Sequence, residues 1–199
     1  MKLYLASQSP RRRELLAQWG MDCELLLPDA SEDSEALEVV RGGEAPATYV
    51  RRVTRLKLDA AVARLKRRKL PAGPVLCADT TVALGRQILG KPADEADARR
   101  MLTSLSGQKH RVLTAVALWH KGRVHEALSV STVEFDALSA AEIRRYVQTG
   151  EPMGKAGAYA LQGRAALWVR HIGGSHSGIV GLPAFETAQV LRSAGLRVM

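Results

Sequence analysis

The sequence predicts an α/β fold built on a mixed β-sheet flanked by helices. Three observations point there. Short apolar runs of strand length alternate with helical stretches, which favours α/β layering. A long hairpin sits in the middle of that alternation, so the sheet is mixed rather than wholly parallel. Clusters of hydroxyl, cationic and acidic side chains fall where elements meet, as at ligand-binding ends of open sheets.

Taken in order, residues 2–6 read as a short buried strand. Ser9-Pro10 opens a helix, with Ser as N-cap and Pro at the first helical position, and the helix stops at Gly20. Residues 23–27 read as a second strand, followed by the acidic loop PDASEDSE. A long helix covers 45–69 and PAGP at 71–74 ends it. Val75 to Ala78 form an apolar strand leading to Asp79-Thr80-Thr81, and a tight turn follows at Gly85-Arg86. Asp94 caps a helix running to Leu105. Residues 111–119 and 124–135 form the hairpin, joined across 120–123. Ser139-Ala140-Ala141-Glu142 is a capping box whose helix ends at Gly150. Then come a Gly-rich loop to Gly163, a strand over 165–172, a Gly/Ser loop to Pro183 and a last helix over 183–194. Interleaving without a linker predicts one domain over 1–199.

Composition removes several function classes. Hydrophobic residues make up 46% of the 199, so disorder is not the main state. No run of about 18 apolar residues occurs, which excludes a spanning helix. The start MKLYLASQSPRRR lacks the apolar length of a secretion signal. Cys23 and Cys77 form no CxxC pair or disulfide framework, which predicts an intracellular protein in a reducing compartment. Net charge is +9, yet residues 1–70 hold 14 basic against 10 acidic side chains and 71–199 hold 15 against 10. The excess is spread evenly, and only Arg64 to Lys69 is dense; it reads as a solvated helix end suited to the C-terminal dipole. Aromatics are 5% and do not interleave with the cations, so a base-stacking surface is not expected. A basic nucleic-acid-binding regulator stands as the competing class.

Two motif matches fail. Gly85 to Pro92 matches G-x-x-x-x-G-K, but Pro92 replaces the hydroxyl residue and keeps Lys91 out of a helix. GSHSG at 174–178 has His where a nucleophile elbow needs Ser. Five clusters survive. Ser7, Ser9, Arg11 and Arg12 gather hydroxyls and cations at a helix start, a recipe for polyphosphate. Asp79-Thr80-Thr81 places a carboxylate at the end of an apolar strand, fit to bind a metal or activate water. Lys91 is pinned between Gly90 and Pro92. Asp29, Glu32, Asp33 and Glu35 form either a solvated acidic loop or a source of oxygen ligands for Mg²⁺ or Mn²⁺. The two Gly-rich loops carry Lys155 and Gln162, and Ser175 and Ser177; an amide at Gln162 both donates and accepts toward a pyrimidine edge. Together they point to a metal-dependent enzyme acting on a nucleotide phosphate.

In this order the pieces resemble the Maf family of nucleoside-triphosphate pyrophosphatases. The resemblance covers about residues 3–195. It rests on SxSPRR (Ser7 to Arg12), R-x-x-x-x-K (Arg52 to Lys57), ADT (Ala78 to Thr80), GKP (Gly90 to Pro92), LSG before VLTAVAL, TGEPM-x-KAGAY-x-x-QG (Thr149 to Gly163) and VGLP (Val180 to Pro183). It implies an elongated fold similar to inosine-triphosphate pyrophosphatases, with two lobes and a central cleft, a cytoplasmic and often homodimeric protein, and a divalent cation (Mg²⁺, Mn²⁺ or Co²⁺). The implied reaction cuts a nucleoside triphosphate into monophosphate and pyrophosphate, with roles in clearing non-standard nucleotides and in cell-division arrest. Asp79 matches the proton acceptor, and Glu32 the acidic residue that joins it in metal binding and catalysis. Ser7 lies in the first motif, and Ser9, Arg11, Arg12, Lys57 and Lys91 match the phosphate-facing set, with Lys91 counted as catalytic. Arg11, Thr80 and Gln162 match positions linked to base choice, and Lys155 belongs to their loop. KAGAY with Gln162 is similar to the branch acting on dTTP and UTP; the alternative is the 7-methyl-GTP branch. Gly154 stands where the family usually has Asp, which removes a charge beside Lys155.

Overall fold

The computed structural model describes residues 2–29, 32–33 and 36–198. Glu35, one of the expected acidic cluster, lies outside the described residues. The strands are β1 (Leu3–Leu5), β2 (Cys23–Leu25), β3 (Val75–Leu84), β4 (Gln87–Leu89), β5 (Lys109–His120), β6 (Arg123–Phe135) and β7 (Val169–Gly173). The α-helices are α1 (Pro10–Gln18), α2 (Pro46–Arg67), α3 (Glu95–Leu105), α4 (Ala140–Val147), α5 (His176–Val180) and α6 (Ala184–Ser193). Six strands follow one another in the order β2-β1-β3-β5-β6-β7, and β4 pairs with β3. β1 is parallel to β2 and β3; the other pairings are antiparallel, so the sheet is mixed.

Alternation along β3 assigns its faces. Val75, Cys77 and Ala83 turn toward α2, where they join Leu58, Ala61 and Leu65 at one end and Tyr49, Val50 and Val53 at the other. Leu76 and Ala78 turn the opposite way onto Leu15 and Leu16 of α1, Val180 of α5 and Val190 of α6. Val82 continues that second face but packs with Leu102 of α3, Ile143 of α4, and Phe135. The second face is therefore covered by two separate helix groups, and they make the two lobes. β3, β5 and β6 run through both.

The cleft comes from a gap in pairing. One edge of β3 pairs with β5 from Val75 to Ala83. Its other edge pairs with β1 at Val75 and Leu76 and with β4 from Val82 to Leu84. Between those contacts the edge from about Ala78 to Thr81 faces an opening. This revises the expectation that Asp79 ends a strand: it is mid-strand, because β5 keeps the chain extended while the opposite edge lacks a neighbour there.

Local signals hold where they are self-contained. Asp94 accepts from the Asp97 N–H at 2.7 Å. Ser139 and Glu142 form the reciprocal capping box. Three expectations change. β2 ends at Leu25. Residues 164–168 form a 3₁₀ turn, so β7 starts at Val169. The Gly/Ser loop contains α5, capped by Ser175, which accepts from the Gly178 N–H at 3.0 Å. A five-residue helix rich in Gly and Ser carries too little periodicity to be read from sequence.

Candidate active site

A cavity of about 710 Å³ opens between the lobes, a size that suits a small-molecule ligand. Ser7, Ser9, Arg11, Arg12, Glu32, Lys57, Asp79, Thr80, Lys91, Lys155 and Gln162 all line it, whereas the candidates Asp29, Ser175 and Ser177 do not. How they are engaged differs from one to the next.

Ser9 takes the N-cap position of α1, yet among the described residues its hydroxyl makes no capping bond. It stays available to the cavity, as do the first N–H groups of the helix. Arg12 is locked instead. Its Nε donates to the Gly181 carbonyl at 2.7 Å, Nη1 to Ser7 Oγ at 3.0 Å and Nη2 to Thr80 Oγ1 at 3.3 Å. Arg11 reaches toward the opposite lobe. Burial draws the Lys155 ammonium pKa below its usual value, and the neighbouring Arg11 charge lowers it further. Two cations held that close favour an anion between them.

On the α2 face Lys57 Nζ donates to Asp79 Oδ1 at 2.5 Å and to Glu38 Oε1 at 2.7 Å. Lys91 Nζ lies 2.9 Å from Glu38 Oε2. Burial lowers the Lys57 pKa, but the Asp79 and Glu38 charges outweigh it and the net displacement is upward. Burial likewise raises Glu38, and Lys57 with Lys91 more than reverse that. The result is an alternating array of two carboxylates and two ammonium groups.

Glu32 is placed elsewhere. Its carboxylate accepts from Arg64 Nε at 2.9 Å and Nη2 at 2.6 Å, and from Arg67 Nη2 at 2.7 Å. The Arg64 hydrogen bonds hold its carboxyl at about 2, against the opposing effect of burial. Glu32, expected to join Asp79, lines the same cavity but is held by arginines, and the carboxylate bridged to Asp79 through Lys57 is that of Glu38. The acidic stretch contains several candidates, and only its path around α2 selects among them. Glu38 lies in a 3₁₀ turn, Ala36–Glu38, held by its carbonyl accepting from Tyr49 Oη at 2.9 Å. Arg52 fixes the following segment through Glu44 at 2.7 Å and the Val39 carbonyl at 2.9 Å. In the R-x-x-x-x-K element, then, Lys57 lines the cavity and Arg52 steadies the Glu38 segment. An acid between apolar Leu37 and Val39, just ahead of the long helix, is the one signal that marked Glu38.

Arg64 also revises the solvated reading of RLKRRK. Its side chain is 4% exposed and donates to the Leu26 carbonyl at 2.6 Å. Arg67 and Arg68 pair with Asp29 at 2.8 and 3.2 Å. Much of the run is consumed in tying the acidic loop to α2 rather than displayed to a polyanion.

The far wall is the loop carrying Lys155 and Gln162. Its Gly157 N–H donates to the Gly90 carbonyl at 3.0 Å, which ties this loop to the segment that carries Lys91. Gly157 has φ +69°, and a Cβ there would meet Val82 at 2.9 Å, so only glycine permits this approach. The loop closes on Glu151, which accepts from Tyr146 Oη at 2.9 Å and the Arg164 N–H at 3.1 Å. A Cβ at Gly163 would lie 2.0 Å from Glu151 Oε1. Gly154 has φ +71° and open space around it, so the missing Asp charge leaves no packing defect.

Known proteins resemble this chain over nearly its whole length. The family model described as Maf-like protein matches residues 2–194. A dTTP/UTP pyrophosphatase of Albidiferax ferrireducens is 64% identical over 98% of both chains. One of Cupriavidus pinatubonensis is 63% identical over 98% of both chains. Among solved structures, the Staphylococcus aureus Ham1 protein aligns with 96% of this chain and 91% of its own at 11% identity, with a TM-score of 0.46.

Proposed function

The chain belongs to the Maf-like family, and from that premise we propose that it is a nucleoside-triphosphate pyrophosphatase that converts dTTP and UTP to the monophosphate and pyrophosphate. One observation carries the chemistry: a mid-strand carboxylate, Asp79, faces a cleft to which Ser7, Ser9, Arg11, Lys57, Lys91 and Lys155 also contribute. Triphosphate oxygens only accept hydrogen bonds, and these groups donate.

In the proposed reaction Asp79 accepts a proton from water through Oδ2 while Oδ1 stays on Lys57. The water oxygen bonds to the α-phosphorus as the bond from that phosphorus to the bridging oxygen breaks. Pyrophosphate leaves with the electron pair. Lys91 and Lys155 neutralise the charge that develops there, and the N–H groups opening α1 orient the chain of phosphates.

Asp79 and Glu38 also suit a divalent cation. Among the described residues no group of three or more His, Cys, Asp and Glu side chains is placed to hold a metal. Two carboxylates converging on one ammonium are nonetheless the donor set that Mg²⁺ or Mn²⁺ takes alongside substrate phosphates. Such an ion would supply charge neutralisation at the phosphates, and Lys57 supplies the same sign of charge between the two carboxylates without it. The cytoplasmic setting and the homodimer rest on the resemblance alone. Among the described residues no helix is long and apolar enough to cross a membrane.

The test is a panel of nucleoside triphosphates with Mg²⁺, Mn²⁺ or Co²⁺, scored for pyrophosphate against orthophosphate. Pyrophosphate from dTTP and UTP is expected. Orthophosphate as first product, or preference for 7-methyl-GTP, would overturn the reading.

A further inference from the structure

On either side of the Arg12 guanidinium sit two hydroxyls whose hydrogen directions the structure determines. Ser7 Oγ accepts from Arg12 Nη1 at 3.0 Å and from the Ser9 N–H at 3.2 Å. Two acceptances fill its lone pairs, so its own hydrogen points outward as a donor. That polarity matches phosphate, which only accepts.

Thr80 is set the other way, and the cause lies one strand back. Thr80 on β3 and Thr114 on β5 are register partners, with hydroxyl oxygens 2.9 Å apart. Thr114, 1% exposed, donates to the Gly178 carbonyl at 2.7 Å. A carbonyl cannot donate, so the single Thr114 hydrogen is committed there. Thr80 must therefore be the donor within the hydroxyl pair. Its hydrogen is directed inward, and toward the cavity it offers lone pairs, one of which receives Arg12 Nη2 at 3.3 Å.

We infer that Thr114, which does not touch the cavity, is a specificity-positioning residue: it holds the Thr80 hydroxyl as an acceptor for a hydrogen-bond donor on the nucleoside. The inference rests on the proposed dTTP and UTP reading. Those two nucleotides share two donors that a phosphate lacks, the imide N–H of the base and the 3′-hydroxyl of the sugar. Either satisfies the Thr80 lone pair. A nucleotide with an acceptor in that place would set lone pair against lone pair, and discrimination of that kind is large because a buried polar group is left unsatisfied.

Thr114→Val keeps the shape and removes the hydroxyl. The Thr80 hydrogen then loses its inward acceptor and is free to turn toward the cavity. Two ratios of kcat/KM separate the donors: UTP over CTP for the imide, and dTTP over its 3′-deoxy analogue for the sugar hydroxyl. One of them is expected to fall about tenfold or more in Thr114→Val. Thr114→Ser, which keeps the relay, should retain both. In a Thr80→Val background, adding Thr114→Val should change neither ratio further, because the effect passes through Thr80. A purely structural role would lower all substrates in proportion, and two unchanged ratios in Thr114→Val overturn the inference. If Thr114→Val does not fold, Thr114→Ala and Thr80→Val are read the same way. Wild type that releases no pyrophosphate from UTP or dTTP overturns the proposed function itself. Active wild type with unchanged ratios in the variants overturns only the role of Thr114.

Discussion

Replacing Glu32 with Gln separates a fold-holding carboxylate from a reacting one. Glu32 accepts three hydrogen bonds from Arg64 and Arg67, and Arg64 is buried. A carboxyl held at about 2 against its ordinary 4.5 corresponds to about 3 kcal/mol of preference for the ionised form, at about 1.4 kcal/mol per pH unit. Glu32 is 17% exposed and Arg67 52%, so solvent screening reduces this to about 2 kcal/mol. Arg64 keeps the Leu26 carbonyl, and the Gln oxygen still accepts one bond, which bounds the loss from above. For a chain of this length about 2 kcal/mol lowers Tm by roughly 4–8 °C. The folded-state pKa is depressed, so the stabilisation is complete above pH 4.5 and fades as pH falls toward 2. Urea unfolding of wild type and Glu32→Gln should therefore differ fully at pH 7 and by less than half as much at pH 3. UTP turnover at 20 °C should remain within about threefold of wild type, since Asp79, Glu38 and Lys57 are untouched; a change that small is about 0.65 kcal/mol. A variant with unaltered Tm and turnover lower by orders of magnitude would refute the assignment.

Four further outcomes follow from the same geometry. Asp79→Asn should lower turnover at least a thousandfold, as loss of a general base on which the step depends, with circular dichroism unchanged; near-normal dTTP hydrolysis would remove Asp79 from the role. Glu38→Gln should lower kcat by about ten- to a hundredfold with a smaller effect on Tm than Glu32→Gln, because it leaves Lys57 with Asp79 alone; the two variants compared side by side decide which acid serves the site. His110 is buried against Tyr159 Oη at 2.9 Å, and burial takes its imidazole down to about 4. It is held neutral in the fold, so its share of stability is complete above pH 6.5 and is lost as pH falls toward 4; His110→Phe should flatten that portion of a denaturation-against-pH curve. Gly163→Ala should displace Glu151, weaken the hold on the Gln162 loop and raise KM for UTP more than it lowers kcat, which steady-state kinetics resolves.

Much of this was legible along the chain because it is local. A cap such as Ser139 with Glu142 involves residues three apart, and the β5–β6 hairpin needs only a turn and two β-rich runs. The site was legible as a set of ordered motifs, each near an element boundary. It was not legible as a set of partners. Glu32 and Glu38 share one acidic stretch, and residue type does not distinguish an acid that meets Arg64 from one that meets Lys57 six residues later. Helix periodicity decides it, because Lys57 and Arg64 are seven positions apart on one face of α2 and each collects the acid that the loop brings past it.

By itself the sequence determined the α/β class, the order of the elements apart from α5, the family and the cavity-lining cations other than Arg64, since all of these are properties of neighbours along the chain. The tertiary structure alone decided that β3 continues through Asp79, that Glu38 rather than Glu32 shares Lys57 with it, and that Thr80 faces Thr114. Those are matters of strand register and of loop path over a helix, fixed by pairing between segments 19 or more residues apart. The charge that first suggested a polyanion resolves in the same way. RLKRRK is dense in sequence, but the fold commits Arg64, Arg67 and Arg68 to carboxylates, and for the buried Arg64 an unpaired guanidinium would be costly.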